Sequence, residues 1–224
     1  IFNSIIINLN VILTIIVVSC FISASNIIND IFDQKTDAIN KRNKIKNNQI
    51  YFIYLVLFIF IFIGIISALQ LNNFSKFISL CIVFPLMILY TPLFKGIPFL
   101  GNCLVSFLVG LVFIYAEISI FSSINFSIIP FIFSFLLSLI REVIKDIEDI
   151  DGDRQSNIYT MPVVYGKDSS IKIAICLMFL LNIIVIMPFI LNFYNFRYLL
   201  AIIIGVILPN SYCIFYLIKK KNES

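Results

Sequence analysis

The sequence predicts an all-α fold, a polytopic bundle of transmembrane helices. Apolar residues make up 61% of the 224 residues and charged residues only 12%. The mean hydropathy is +1.05, which ordinary soluble domains do not reach. The apolar residues form long continuous runs and do not alternate with polar residues, and this favours helices over a β-barrel. The ionic residues are gathered between these runs.

Seven charge-poor stretches are long enough to cross a bilayer. They cover 5–29, 50–70, 77–94, 99–120, 127–145, 171–191 and 198–218. If the helices alternate in direction, 14 of the 16 Lys and Arg residues lie on one side of the membrane, and only Lys76 and Arg197 lie on the other. The side rich in Lys and Arg is expected to be cytoplasmic. The sequence therefore predicts a multi-pass protein of the cell membrane.

Composition excludes several classes of function. The chain has no His, which excludes His-based general-base chemistry and His-Cys zinc sites. The five cysteines lie in apolar spans without paired spacing, so we interpret them as small buried hydrophobes. The net charge of +4 is small and the basic residues are interleaved with acids, which argues against nucleic-acid binding. No segment indicates an obligate protein partner.

Two aspartate triplets share the spacing D-x2-D-x3-D. They are Asp30, Asp33 and Asp37, and Asp146, Asp149 and Asp153. On a helix, positions i, i+3 and i+7 fall within about 60° of one another, so each triplet lines one face. Carboxylates this close to lipid repel one another and favour protonation unless a divalent cation is present. The pattern predicts a Mg²⁺ site with an anionic ligand, for which a diphosphate is the natural candidate.

Each triplet ends a helix on the same side of the membrane. We therefore expect the two triplets to face each other across one central cavity that opens to the cytoplasm. The polar segment after each triplet is expected to be a long loop at the mouth of the cavity. Gly152, inside the second motif, is expected to end its helix.

The two motifs in full resemble the paired signatures of the UbiA-type intramembrane prenyltransferases. The first reads NDxxDxxxD and the second KDxxDxxGD. The segment INKRNK, with Arg42 where the family usually has Pro, and Tyr90-Thr91-x2-Phe94-Lys95 add to the resemblance. The longer form R-E-x2-K-D-I-E-D-x2-G-D-R is most similar to the geranylgeranylglycerol-phosphate geranylgeranyltransferase branch of ether-lipid synthesis. The resemblance covers essentially the whole chain.

The resemblance implies Mg²⁺-dependent transfer of a polyprenyl group, with geranylgeranyl expected, from its diphosphate to an acceptor hydroxyl in the membrane. The expected acceptor is the lipid geranylgeranylglyceryl phosphate, and an aromatic acceptor of quinone synthesis is the alternative. The metal ligands implied are Asn29, Asp30, Asp33, Asp37, Asp146, Asp149 and Asp153. The diphosphate-binding residues implied are Tyr90, Lys95, Lys145 and Arg154. The catalytic residues implied are Asp33, Asp149 and Lys145.

The family has nine helices, with its first motif at the end of the second helix. We therefore expect residues 1–224 to form a single transmembrane prenyltransferase domain that lacks the first and last helices of the family. Two other classes stay open. An inactive lipid-binding remnant would retain the motifs without turnover. A divalent-cation transporter would place carboxylates at mid-depth in several spans, and only Glu117 is so placed; we interpret it as a locally paired residue.

Overall fold

The computed structural model describes residues 9–34, 39 and 49–222. The described elements are α1 (Leu9–Phe32), α2 (Ile50–Leu69), α3 (Asn73–Phe94), α4 (Leu100–Phe121), α5 (Ile128–Gln155), α6 (Met161–Tyr165), α7 (Lys167–Ile190) and α8. Helix α8 comprises Phe196–Ile202, a π-helical turn over Ile203–Ile207 and Leu208–Asn222. The described part of the chain contains no strand, which confirms the all-α prediction.

Within the described residues, six helices are long and apolar enough to cross a membrane: α1, α2, α3, α4, α7 and α8. The remaining predicted span, 127–145, is also helical, but α5 continues ten residues beyond it. Arg141, Glu142 and Lys145 interrupt the apolar part of α5, so this helix is not among the six. Its membrane crossing therefore stays a prediction.

The helices pack side by side and expose apolar faces outward. Helix α1 packs on α2, α3 and α4, whereas α5 packs on α4 and α7, and α7 packs on α8. One buried cluster joins Val17 of α1 to Met87 of α3, and another joins Leu136, Leu181 and Ile214 of α5, α7 and α8. Only 17% of the α2 span and 11% of the α3 span is buried, as expected where lipid covers the outer surface.

The cysteines divide between the interior and the outer surface. Cys20 is buried and Cys103 is half-buried, but Cys81, Cys176 and Cys213 are exposed. The prediction that all five are buried is therefore wrong for three of them. A thiol behaves as a small apolar group, so a lipid-facing position suits it as well as a core position, and composition does not distinguish the two.

Glu117 is paired locally, as predicted. Its carboxylate accepts hydrogen bonds from the backbone N–H groups of Asn125 at 3.0 Å, Phe126 at 3.0 Å and Ser127 at 2.9 Å. These groups immediately precede α5, where backbone N–H groups have no partner within the helix. Glu117 thus fixes the turn between α4 and α5.

Gly152 does not end its helix, contrary to the expectation. It is buried inside α5, which continues to Gln155, and the backbone N–H of Ser156 donates to its carbonyl oxygen at 2.9 Å. Gly166, by contrast, lies between α6 and α7. Its φ of +84° is a conformation that a residue without a side chain adopts readily. The polar segment after the second triplet is therefore largely helical.

Candidate active site

A cavity of about 350 Å³ lies between α1, α3, α4 and α5. Its polar end is lined by Asn26, Asn29, Asp33, Tyr90, Lys95, Asn102, Arg141, Glu142, Lys145, Asp146, Asp149 and Asp153. The remaining wall is mainly apolar, with Val17, Met87 and Leu108, and it reaches Tyr115. Asn102 and Tyr115 are 13 residues apart on α4, which corresponds to about 20 Å along the helix axis. The cavity thus combines a charged mouth with a deep apolar interior.

The first triplet contributes Asp33, which directly follows the last residue of α1 and is 7% exposed. The side-chain amide of Asn29 donates to Asp33 Oδ2 at 2.8 Å. Thr91 Oγ1 in turn donates to Asn29 Oδ1 at 3.4 Å. These contacts connect the end of α1 to the end of α3 and hold the Asp33 carboxylate toward the cavity.

Asp30 does not lie where the triplet pattern predicted. It is exposed and is not among the residues that line the cavity. Adjacent residues of a helix are turned by about 100°, so a helix that directs Asn29 and, one turn later, Asp33 into the cavity directs Asp30 elsewhere. Asp37 lies outside the described residues.

Tyr90 and Lys95 enter the cavity from a π-helical turn over Tyr90–Phe94. The backbone N–H of Lys95 donates to the carbonyl oxygen of Tyr90 at 2.9 Å, five residues back. Pro92 within this turn has no N–H to donate, and π turns occur frequently at functional sites. The Lys95 ammonium contacts both oxygens of Asp33. Tyr90 interacts electrostatically with the carboxylates of both triplets.

Gly101 allows α4 to begin directly against the backbone that carries Lys95. A Cβ at Gly101 would lie 2.9 Å from the carbonyl oxygen of Phe94 and 3.3 Å from that of Lys95. We expect Gly101→Ala to displace this backbone and to lower the rate of prenyl transfer by about 10- to 100-fold, because small misplacements of a charged group reduce catalysis strongly.

The matched control for this prediction is Gly96→Ala, which adds the same methyl group five residues away. A Cβ at Gly96 has its nearest neighbour at 3.9 Å, the backbone nitrogen of Tyr159, which is an ordinary contact. Steady-state kinetics of both variants in the same membrane preparation provide the measurement. Equal activity of Gly101→Ala and the wild-type chain would contradict the expected role of the close contact.

The second triplet lies entirely on α5. Asp149 and Asp153 are 7% and 3% exposed, and all three carboxyl groups line the same cavity as Asp33. The side-chain amide of Asn102 donates to Asp146 Oδ2 at 2.8 Å. Thr160 Oγ1 donates to Asp153 Oδ2 at 2.9 Å. Asp33 of the first triplet therefore shares one cavity with the whole second triplet, with Asn29 and Asp33 on one wall and the second triplet on the other.

Burial makes two of these carboxyl groups harder to ionise. Both Asp146 and Asp153 lie beyond the predicted span 127–145. Burial raises the pKa of the Asp146 carboxyl to about 7, and burial also raises the pKa of the Asp153 carboxyl above its ordinary value. A cation bound at the cavity mouth would favour the ionised form of both groups.

Further residues at or near the cavity mouth differ from the sequence prediction. Arg154 is exposed and does not line the cavity, because it is one residue further along α5 than Asp153 and is turned away from it. Asn102, Arg141 and Glu142 do line it, although no role was predicted for them. The available signal was polarity within or beside an apolar span, which is costly in a membrane and indicates function.

The cavity carries more negative than positive charge. Of the described residues that line it, five are acidic (Asp33, Glu142, Asp146, Asp149 and Asp153) and three are basic (Lys95, Arg141 and Lys145). The described residues contain no group of three His, Cys, Asp or Glu side chains that forms a metal cage by itself. Mg²⁺ commonly takes only one or two carboxylates and completes its shell with water and substrate phosphate, so the hard oxygen donors present fit a cation shared with a phosphate ligand.

Comparison with known proteins gives one family. The sequence model of the UbiA prenyltransferase family matches residues 3–224. The digeranylgeranylglyceryl phosphate synthase of Methanosphaera stadtmanae is 34% identical over 208 residues, which cover 90% of this chain and 74% of that protein. The synthases of the same name from Saccharolobus solfataricus and Haloquadratum walsbyi are 35% and 31% identical, over 87% and 81% of this chain. The chain spans 70% and 64% of their lengths.

Two solved structures share the fold. A structure described as a digeranylgeranylglyceryl phosphate synthase in membranes is 30% identical and superposes with a TM-score of 0.68, over 94% of this chain and 75% of that one. A UbiA homolog from Archaeoglobus fulgidus bound to DMAPP and Mg²⁺ superposes with a TM-score of 0.70 over the same shares, at 17% identity. At that identity the second likeness concerns the fold alone.

Proposed function

This chain belongs to the UbiA prenyltransferase family, and we propose that it transfers a geranylgeranyl group from geranylgeranyl diphosphate to the free hydroxyl of geranylgeranylglyceryl phosphate in ether-lipid synthesis. In this reaction the bond between the prenyl C1 and the diphosphate oxygen breaks, and an ether bond forms to the acceptor oxygen. The released diphosphate takes up the proton of the acceptor hydroxyl. Similarity to synthases that act in this branch supports the choice of acceptor.

The observation that carries the proposal is the pairing of a carboxylate-rich mouth with a deep apolar wall in one cavity. A prenyl diphosphate has the same two parts, a polyanionic head and a long hydrocarbon tail. The apolar wall between Asn102 and Tyr115 provides about 20 Å of depth for the tail. The excess of carboxylates over basic side chains would repel the head, so binding of the head requires additional positive charge.

The proposed roles follow from where each side chain lies. Asn29, Asp33, Asp146, Asp149 and Asp153 would hold Mg²⁺, which would supply positive charge to offset the charge that grows on the leaving group. Lys95, Lys145 and Tyr90 would donate to the remaining phosphate oxygens. Asp33, Asp149 and Lys145 are the proposed catalytic residues. Asp37 stays in the proposed ligand set, whereas Asp30 and Arg154 do not.

We also propose that all seven long helices, as one prenyltransferase domain, cross the cell membrane with the cavity mouth toward the cytoplasm. Helix α5 would cross over the predicted span 127–145. The ionic groups of the mouth come from the C-terminal ends of α1, α3 and α5 and the N-terminal end of α4, as alternating helix directions require. The predicted cytoplasmic excess of Lys and Arg supports the same orientation.

The test of this proposal is a comparison of acceptors with one labelled donor. Membranes that contain the chain, supplied with labelled geranylgeranyl diphosphate and Mg²⁺, are expected to prenylate geranylgeranylglyceryl phosphate with a kcat/KM at least about tenfold higher than that for 4-hydroxybenzoate or dihydroxynaphthoate. A preference for either aromatic acceptor would contradict the proposed acceptor but not the proposed diphosphate chemistry. Absence of turnover with all three acceptors would favour an inactive lipid-binding protein.

A further inference from the structure

A second, larger groove of about 780 Å³ lies on the other side of α5, between α5, α7 and α8. Its walls are mostly apolar and include Ile140 and Ile144 of α5, Met178 of α7 and Val206 of α8. Asn210 donates to the Met178 carbonyl oxygen at 2.8 Å and thereby connects α8 to α7.

The groove shares Arg141 and Lys145 with the central cavity. At 100° per residue, the groove residues Leu137, Ile144 and Glu148 fall within about 40° on one face of α5. The cavity residues Glu142, Asp146, Asp149 and Asp153 fall within about 60° on another, and Arg141 and Lys145 lie between these two faces. The two basic side chains therefore stand where the groove and the cavity meet.

Exposure and the sparse carboxylates of the groove suit Arg141 to an anion there. The Arg141 side chain is 72% exposed, and its Nη1 contacts Glu142. A guanidinium has five N–H donors, so donors remain after this contact. Of the described residues that line the groove, Glu148 is the one carboxylate, whereas five carboxyl groups line the central cavity. An anion at Arg141 therefore meets less negative charge on the groove side of α5.

We infer that the groove binds the acceptor, a lipid with a phosphate and a nearby free hydroxyl, with the phosphate at Arg141 and the hydrocarbon chain along the apolar walls, while Lys145 at the boundary serves the donor diphosphate. This inference rests on the proposed function and locates its second substrate. The free hydroxyl is only a few bonds from the phosphate in such a lipid, so an acceptor held at the boundary presents its hydroxyl to the central cavity. Lys95 then serves the donor diphosphate on the opposite side of α5.

Gly205 provides the first test because it leaves the groove open. Gly205 lines the groove and a Cβ there meets no atom within 4 Å, so a side chain can begin there without displacing packed neighbours. We expect Gly205→Phe to raise the acceptor KM by about tenfold or more, as loss of an apolar subsite does, with the donor KM unchanged. The matched control is Ile204→Phe, at a neighbouring residue that is 67% exposed and does not line the groove. Equal acceptor KM values in the two variants would overturn the inference.

Cys213 provides the second test because it lines the groove and is exposed. In a variant that keeps only this cysteine, N-ethylmaleimide is expected to label Cys213 several-fold more slowly when geranylgeranylglyceryl phosphate is present. Geranylgeranyl diphosphate should not slow the labelling. Cys176, exposed on α7 but outside the groove, is the control in a second single-cysteine variant and should label at the same rate with and without either lipid.

Three outcomes of the labelling would overturn the inference. A Cys213 that does not react in the ligand-free protein, under conditions in which Cys176 does react, would show that the groove is covered. Equal protection by phosphatidic acid would show that the groove holds a bilayer phospholipid. No protection in a chain that still prenylates geranylgeranylglyceryl phosphate would place the acceptor elsewhere while the proposed function stands. Protection of Cys213 in a chain that does not turn over the acceptor would instead support the binding site and contradict the proposed function.

Discussion

Removal of divalent cations is expected to lower the rate of prenyl transfer by about 10³-fold, because several kilocalories per mole of charge stabilisation would be lost. The reason is the charge of the cavity. Five acidic and three basic side chains line it, so the diphosphate meets a net negative surface unless a cation intervenes. Asp33 already contacts Lys95, and this single ammonium cannot serve Asp33, the second triplet and the diphosphate at once.

The measurement is transfer from labelled geranylgeranyl diphosphate before and after chelation, followed by addition of Mg²⁺ to restore the rate. A thermal unfolding curve of the same samples is the control. The described residues do not form a metal cage by themselves, so chelation without substrate should leave the midpoint Tm unchanged, whereas the diphosphate should raise Tm only when Mg²⁺ is present. Undiminished transfer after complete chelation would contradict the proposed mechanism.

Much of the fold could be predicted because hydropathy is a property of the chain itself. Continuous apolar runs predicted each long helix, since only helices satisfy their backbone hydrogen bonds within lipid. The exact extent of α5 could not be predicted. The local propensity of a glycine inside a charged segment indicates a helix end. Gly152 is nevertheless buried and the helix continues to Gln155, and Thr160 beyond the helix donates to Asp153.

The residues of the candidate site could be predicted where helical periodicity alone decides which side chains share a face. They could not be predicted where the packing of helices decides which face is turned to the cavity. Spacing placed Asp149 and Asp153 on one face of α5, and both line the cavity. Spacing could not show that α1 turns Asn29, and not Asp30, toward the cavity, because that rotation depends on how α1 packs against its neighbours. The contact between Asn102 and Asp146 joins residues 44 positions apart, and a single sequence contains no signal that pairs them.

A pair of substitutions on one helix separates the proposed catalytic charge from charge in general. Asp149 is 7% exposed and lines the cavity, whereas Asp151, two residues later on α5, is exposed and does not. Each Asp→Asn change removes one negative charge while keeping the size of the side chain. We expect Asp149→Asn to lower kcat by about 10²- to 10³-fold, the usual cost of removing a group that stabilises transition-state charge. Asp151→Asn should stay within about twofold of the wild-type rate, because an exposed charge on the opposite face is screened by solvent.

Two readouts distinguish a lost ligand from a damaged fold. The Mg²⁺ concentration that gives half-maximal activity should rise in Asp149→Asn and not in Asp151→Asn. The Tm of Asp149→Asn without metal should equal or exceed that of the wild-type chain, because replacing a buried charge by a neutral amide removes a desolvation cost from the folded state. Tm measurements on both variants therefore accompany the kinetics. Similar losses of activity in both variants would show that α5 acts through its total charge, and a normal rate in Asp149→Asn would remove this residue from the proposed ligand set.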